Sequence, residues 1–305
     1  MAFGLSEKMR RKVRKKMRKI VLFFGDIMFG KNIDPNMIIV RFDGGFASQI
    51  AFWALARHFE LKGETVKYDL SWFDEDGMDM NGEHVRNFDL PKAFADFEVK
   101  AATPLEIYRY KKRHAVTESD FSLDVHAPAY FGQYYDRWPI FLSQAKFFSE
   151  AFSPIEQLSR VSAQFLDQIN HAPFPVAVHV RRGDLAVYNP VYGEPPAPEY
   201  FCRAVNQVRK INSDASFFFF SDEIAWTEAE VLPLLGDTKV TLVKGNDSGK
   251  GYIDLYLMKH CRAFIASQGA FAKFARALAG KDTLLVEPED VYCAALGDDP
   301  NRYVA

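Results

Sequence analysis

The sequence has little cysteine. Cys202, Cys261 and Cys293 are an odd, scattered set among 305 residues, which excludes a disulfide framework, offers no metal-type spacing and fits a reducing compartment. Buried packing is the expected role of all three. Long apolar runs are also missing: nothing approaches the ~20 residues that span a bilayer, and Ile20 to Phe24 is too short even for a signal-peptide core. Net charge is small, at −2, and a composition of 48% apolar and 26% charged residues describes an ordered globular protein long enough for two domains.

The near-neutral total hides an asymmetry. Residues 1–20 hold nine Lys or Arg and one Glu, so this segment carries +8 and the remainder −10. Met9, Val13, Met17, Ile20 and Phe24 recur at steps of three or four, which predicts a helix with one apolar stripe and a crowded basic face. Such a helix suits an anionic membrane surface, giving a cytoplasmic protein peripheral on the inner face of the cell membrane. A solvated helix and a nucleic-acid arm are the rival uses of the same residues. The acidic remainder continues no basic track, so no nucleic-acid partner is expected.

The most informative stretch is VAVHVRRGDL, Val176 to Leu185. A continuous apolar run reads as a buried parallel strand, and ligands of open α/β sheets sit beyond the carboxyl ends of such strands. His179, Arg181, Arg182 and Asp184 would stand there, and paired guanidinium groups suit phosphate because each gives two charge-assisted hydrogen bonds and keeps its proton. A solvated basic turn is the plainer alternative. Further strands read at 216–220, 239–243, 263–266 and 283–286, alternating with helical patterns near 198–212, 227–235, 252–262 and 270–279, the rhythm of a parallel sheet wrapped by helices. Asp222 with Ser221, Lys244 with Asn246, and Ser267, Gln268 and Gly269 follow successive strands, so they converge on one sheet edge with the arginines. GNDSGKG, Gly245 to Gly251, is not a P-loop: it is one residue short, with Gly where Ser or Thr would hold magnesium.

The first half is less regular. MIIVRF, Met37 to Phe42, predicts a strand leading through Gly44 and Gly45 into a helix of Ile50 to Leu61 stopped by Gly63, with TVKYDL, Thr65 to Leu70, as the next strand. Paired glycines at such a turn let backbone N–H groups approach a ligand, and equally make a plain tight turn. Residues 71–170 read as mostly helical with loops, carrying an aromatic cluster of Tyr130, Phe131, Tyr134, Tyr135 and Trp138. DEDGMD, Asp74 to Asp79, has an Asp-x-Asp pattern, but its Gly- and Asp-rich setting reads as an exposed loop and no metal is expected.

At these residues the chain resembles the α-1,2-fucosyltransferases, inverting enzymes that use GDP-fucose. HVRRGD, His179 to Asp184, is similar to that family's His-x-Arg-Arg-x-Asp donor motif, GGFASQIAFWALA, Gly44 to Ala56, to its Gly-Gly-Leu-Gly-Asn-Gln motif, and Tyr252 to Gly280 to the segment closing the donor pocket. The resemblance implies an α/β protein of two facing Rossmann-like domains, the GT-B-type glycosyltransferase architecture. The expected division is a basic segment at 1–35, an acceptor-side domain at 36–172 and a GDP-sugar domain at 173–305. It implies that Arg181 clamps the pyrophosphate with support from Arg182, that His179 and Asp254 approach the guanosine, and that no metal cofactor is needed. Asp254 reads equally well as a helix cap. For the general base Asp184 and Glu194, the latter in the proline-rich loop Pro190 to Pro198, are the candidates; an Asp orienting Arg181 and a solvated Glu are the alternatives, as is a route with little base assistance. Ala47, Ser48, Gly269, Ala270, Lys273 and Phe274 depart from the family's pattern at positions that, in that family, touch donor sugar and phosphate.

The expected function is transfer of L-fucose from GDP-β-L-fucose in α-1,2 linkage to an oligosaccharide or lipid-linked galactose-containing glycan, in bacterial lipopolysaccharide O-antigen assembly. The alternatives are a transferase of the same fold using another GDP-sugar and a nonenzymatic nucleotide- or glycan-binding protein.

Overall fold

A computed structural model describes residues 7–28, 34–75, 77–78, 82, 85–133, 135–154, 158–183, 186, 194–246, 249–280, 282–288 and 301–305. The chain divides into two compact units, one of residues 1–78, 86–88 and 97–141, the other of 79–85, 89–96 and 142–305.

The first unit is built on three parallel strands, β1 (Met37–Arg41), β2 (Thr65–Asp69) and β3 (Ala129–Phe131), in the order β2-β1-β3. The central strand is buried from Met37 to Val40, as a run of β-branched and other apolar residues with helices around it requires. The expected helix after Gly44 and Gly45 runs Phe46–Leu61. It ends because Gly63 takes φ +88° and donates to the Glu60 carbonyl, a conformation only glycine adopts at little cost. The strand β3 was not legible in the aromatic segment, since three residues show no periodicity. It is fixed from outside instead, by pairing with Ile38 to Val40 and by Tyr130 Oη donating to the buried Asp69 carboxylate at 2.8 Å.

The second unit holds six parallel strands: β4 (Phe174–Val180), β5 (Ala215–Ser221), β6 (Val240–Leu242), β7 (Ala263–Ile265), β8 (Leu284–Glu287) and β9 (Arg302–Val304), in the order β6-β5-β4-β7-β8-β9. Alternate residues of β4 and β5, from Val176 to Phe219, pack with Tyr200, Phe201, Ala204 and Val208 of the helix Pro198–Ile211 into one core. The five expected strands are present and β9 is additional. It is held to β8 by the ladder Leu285–Arg302 to Glu287–Val304 and by Arg302 Nε donating to Glu287 at 2.6 Å.

Three expectations need correction. The helices between 142 and 171, read with the first half, pack on the second unit: Ser149 Oγ donates to the Leu278 carbonyl at 2.6 Å, and Lys259 Nζ reaches the Ser149 and Phe152 carbonyls at 3.0 and 2.7 Å. The helix expected at 252–262 stops at Met258, because the chain turns into β7 through His260 and Cys261. The pattern at 227–235 is a π turn, Thr227–Val231, followed by a 3₁₀ turn, Leu232–Leu235, with Pro233 breaking regular α pairing. Of the cysteines, Cys261 is buried and Cys202 only half-buried, both with free thiols; Cys293 lies outside the described residues.

Candidate functional site

The strand order of the second unit locates a crevice before any side chain is considered. From β4 the chain passes to β5 and β6 on one side and then returns to place β7 and β8 on the other. The carboxyl end of β4 is therefore a topological switch point, where neighbouring connections run opposite ways and leave a gap at the sheet edge. Arg181 and Arg182 follow β4, Asp222 follows β5, and Ser267, Gln268 and Gly269 follow β7.

These residues lock one another. The Arg181 backbone N–H donates to Ser267 Oγ at 2.9 Å, and the Arg182 N–H donates to Asp222 Oδ1 at 2.9 Å, so both flanking strands hold the turn that presents the arginines. The Arg182 guanidinium lies over the Trp226 ring, 4.4 Å from its centre, a stacking that orders the planar cation while keeping its edge donors available. A Cβ at Gly183 would stand 3.2 Å from Asp222 Oδ2, which explains a glycine there. Gly269 has φ +87°, and a side chain on it would meet Arg181 Cδ at 3.8 Å. It leads through Ala270 into the helix Phe271–Ala279, which has no side-chain cap, leaving its first N–H groups as donors for an anion.

His179 sits behind the arginines, its ring stacked on Phe271 with centroids 5.2 Å apart. Burial and the adjacent Arg181 charge pull its pKa down to about 3, so the imidazole is neutral. Ser267 Oγ lies 3.4 Å from His179 Nδ1. Ser267 Oγ accepts from the Arg181 N–H and meets Nδ1 with its proton or its second lone pair, and the neutral ring keeps one donor and one acceptor nitrogen. Phe271 links this group to the next helix, Gly251–Met258, where a Cβ at Gly251 would lie 3.9 Å from Phe271 Cε2. Asp254 is in that helix's first turn. Its carboxylate accepts from Asn246 Nδ2 at 2.6 Å rather than capping the helix, and Ser162 Oγ donates to Asn246 Oδ1 at 3.1 Å. Burial raises the Asp254 pKa to about 7 against the lowering effect of that hydrogen bond.

Gln268 is buried and donates to the Glu194 backbone carbonyl, while its Oε1 has no partner. That contact ties the proline-rich segment to the crevice through the backbone, and the Glu194 side chain is exposed. Asp184 lies outside the described residues. Gly44 and Gly45 belong to the first unit: Gly44 has φ +74°, Gly45 precedes the helix Phe46–Leu61, and the wholly buried Gln49 donates to the Gly44 and Asn87 carbonyls at 3.2 and 2.8 Å. Lys273 and Phe274, which depart from the family's pattern at positions that touch the donor in that family, turn into the core. Lys273 Nζ meets Glu287 Oε1 at 2.8 Å with both side chains buried.

Sequence reasoning missed Phe271 and Trp226, which act on the named residues by stacking across sequence gaps that no local pattern reveals; Asn246, expected at the sheet edge, is the residue that holds Asp254. It also missed Asp43, at the end of β1, although a carboxylate directly before Gly44 and Gly45 was a readable signal. Asp43 is half-buried beside Arg41, 3.9 Å away; burial raises its pKa, and Arg41 and Arg137 oppose the rise. A surface groove of about 350 Å³ lies elsewhere, along β5 and β6 between Ser216, Phe218, Lys239 and Thr241, and includes none of the motif residues. Among the described residues no three His, Cys, Asp or Glu cluster as a metal site; Asp76 and Asp79 of the Asp-rich stretch are not among them.

The family model of glycosyl transferase family 11 matches residues 78–298, most of the chain and all of this crevice. The chain belongs to glycosyl transferase family 11. This glycosyltransferase has the α/β fold of the GT-B type. Its fold is similar to that of NodZ α-1,6-fucosyltransferase soaked with GDP-fucose, with 16% identity over 80% of this chain and 93% of that one and a TM-score of 0.53. Fucosyltransferase NodZ from Bradyrhizobium gives 15% identity over the same shares and a TM-score of 0.55. No curated protein matches the transferase significantly.

Proposed function

We propose that this glycosyltransferase transfers L-fucose from GDP-β-L-fucose, with inversion, in α-1,2 linkage to a galactose-containing oligosaccharide or lipid-linked glycan, in cytoplasmic assembly of a bacterial surface polysaccharide such as an O-antigen. The observation that carries the reading is the turn after β4, where neighbouring strands fix Arg181 and Arg182 beside a neutral His179. The NodZ structure named with GDP-fucose supports a GDP-sugar in this fold; the linkage named for that protein is α-1,6, so α-1,2 rests on the motif resemblance.

In this reading GDP lies along the crevice, its pyrophosphate on Arg181, Arg182 and the N–H groups following Gly269, and its guanosine towards the neutral His179 ring and the Asp254 carboxylate. The acceptor hydroxyl oxygen forms a bond to the anomeric carbon as the bond from that carbon to the β-phosphate oxygen breaks. The electron pair stays with GDP. The hydroxyl proton passes to a carboxylate of the segment after β4, Asp184 or Glu194. Charge appears on the β-phosphate as the bond breaks, so a fixed guanidinium there stabilises the transition state more than the ground state. Two such cations fill the role a divalent metal would otherwise take.

The same site would serve another GDP-sugar, a reading favoured by Ala47, Ser48, Gly269 and Ala270 at positions tied to the donor sugar. Calorimetric titration with GDP, UDP, GDP-fucose and GDP-mannose, with and without magnesium, separates the two. Metal-independent GDP binding with GDP-fucose preferred is the expected result. Preference for a different GDP-sugar would replace fucose, and no guanine-nucleotide binding by folded protein would overturn the proposal.

A further inference from the structure

The helix Glu7–Met28 belongs to the first unit, and among the described residues its contacts with that unit lie on one side. Arg18 Nη1 meets Glu75 Oε1 at 2.6 Å. One turn from the helix end the buried Asp26 carboxylate takes Arg109 Nε at 2.9 Å and Arg113 Nη2 at 2.9 and 3.1 Å, both from the helix Pro104–Arg113. Gly25 lies against Leu105, where a Cβ would stand 3.8 Å from Cδ1. Arg18, Leu22, Gly25 and Asp26 are spaced by four, three and one, a single helical face, and they are the less exposed positions of the segment.

The apolar stripe lies on the opposite face. Met17, Ile20, Val21, Phe24, Ile27 and Met28 follow steps of three, one, three, three and one, and all are between 49% and 76% exposed. Sequence periodicity that ordinarily marks a core-facing stripe here marks one turned away from the protein, because Asp26 and Arg18 fix the helix the other way round. A contiguous exposed apolar strip signals an interaction surface. Its neighbours identify the partner: Lys16 is exposed beside it, and nine Lys or Arg crowd the first 20 residues while the rest of the chain carries −10. A bilayer with anionic headgroups offers an apolar layer and a negative surface along the whole length of such a helix.

We infer that this helix is a rigidly mounted interfacial helix, laying Met17, Ile20, Val21, Phe24, Ile27 and Met28 into the headgroup–acyl boundary of an anionic bilayer, with the two ion-paired contacts setting its rotation. The donor crevice has no part in this surface, so its failure leaves the transferase reading untouched.

The test is co-sedimentation of the full chain with phosphatidylcholine vesicles and with phosphatidylcholine vesicles containing phosphatidylglycerol. Binding to the anionic vesicles, weakened by salt, and little binding to the neutral ones is expected. Phe24→Glu should weaken it by roughly tenfold or more, the scale of one buried aromatic side chain, and Lys16→Glu by about fivefold for each charge unit lost. Both positions are exposed, so circular dichroism and thermal unfolding should match the parent chain. Absence of binding to anionic vesicles at low salt would overturn the inference, as would equal binding to neutral vesicles or unchanged binding by Phe24→Glu. Concentration-dependent self-association abolished by Phe24→Glu, without vesicle binding, would reassign the stripe to a contact between two copies and overturn it too.

Discussion

Both units carry a parallel strand that ends in a tight, glycine-containing turn, yet the two turns are built in different ways. After β4 the turn is held by neighbouring strands: Ser267 from β7 and Asp222 from β5 each accept a backbone N–H, and two arginines project from it. After β1 the turn is held from its own helix, by Gln49 donating to the Gly44 carbonyl and onward to Asn87, and the charged groups beside it are the Asp43 carboxylate and Arg41, 3.9 Å apart. The first arrangement fixes cations where a phosphate can meet them. The second fixes a backbone turn from within, with an ion pair rather than two cations at its rim. The same supersecondary unit thus specialises through what satisfies its turn rather than through its glycines.

The comparison breaks most visibly at Glu287, which anchors the second unit's sheet. Its carboxylate holds buried Lys273 at 2.8 Å and Arg302 at 2.6 Å. Burial pulls the Lys273 ammonium below its ordinary pKa and Glu287 pushes it back, so removing the partner leaves a buried cation uncompensated. Glu287→Ala should cost about 3–5 kcal/mol, read as a fall in the denaturation midpoint. Loss of less than about 1 kcal/mol would mean that the triad is hydrated and that β9 is not anchored through it.

Arg181→Ala comes next. A preorganised charge contact at a leaving group is worth about 3–4 kcal/mol, or roughly 10²–10³ in turnover. The backbone N–H to Ser267 survives the substitution, so the unfolding midpoint should barely move while GDP release from GDP-fucose with acceptor collapses. Turnover within about threefold of the parent would take the cation away from the reaction.

Gln49→Leu tests the other turn. It removes two hydrogen bonds made by a wholly buried side chain to the carbonyls of half-buried Gly44 and exposed Asn87, at about 1–3 kcal/mol for the pair. Stability of the first unit should fall while GDP affinity stays unchanged. Loss of GDP affinity equal to that of an Arg181 variant would erase the contrast between the turns.

Much of the second unit could be read from sequence because its strands are long apolar runs whose polar residues come directly after them. The sheet-edge convergence of Arg181, Asp222 and Ser267 follows from parallel topology alone. The first unit resisted because β3 is three residues long inside an aromatic segment and is defined by pairing with β1. Lys273 misled for a different reason: a motif aligned it with donor contacts, but its charge is answered by Glu287 in the core, a pairing across 14 residues that periodicity cannot register. The amino-terminal stripe was legible as a pattern and not as a direction. Met17, Ile20 and Phe24 face outward because Asp26 finds Arg109 and Arg113, 83 and 87 residues away.

The smallest expected effect concerns Asp254, and it separates the guanosine role from a purely structural one. Its folded-state pKa of about 7 lies above the ordinary 3.8, so the free protein prefers the protonated carboxyl. The stability this contributes is complete below about pH 4 and is lost as pH rises to about 7. Nucleotide binding should run the other way, since a carboxylate accepting from the guanine edge must be ionised. GDP affinity should therefore rise about tenfold from pH 6 to pH 8, the change in ionised fraction for a group of that pKa. Asp254→Asn should remove both slopes, keep the hydrogen-bonding shape beside Asn246, and bind GDP more weakly at pH 8. A GDP affinity that is flat with pH in the parent, with the stability slope still present, would confine Asp254 to the Asn246–Ser162 network and leave guanosine recognition to His179.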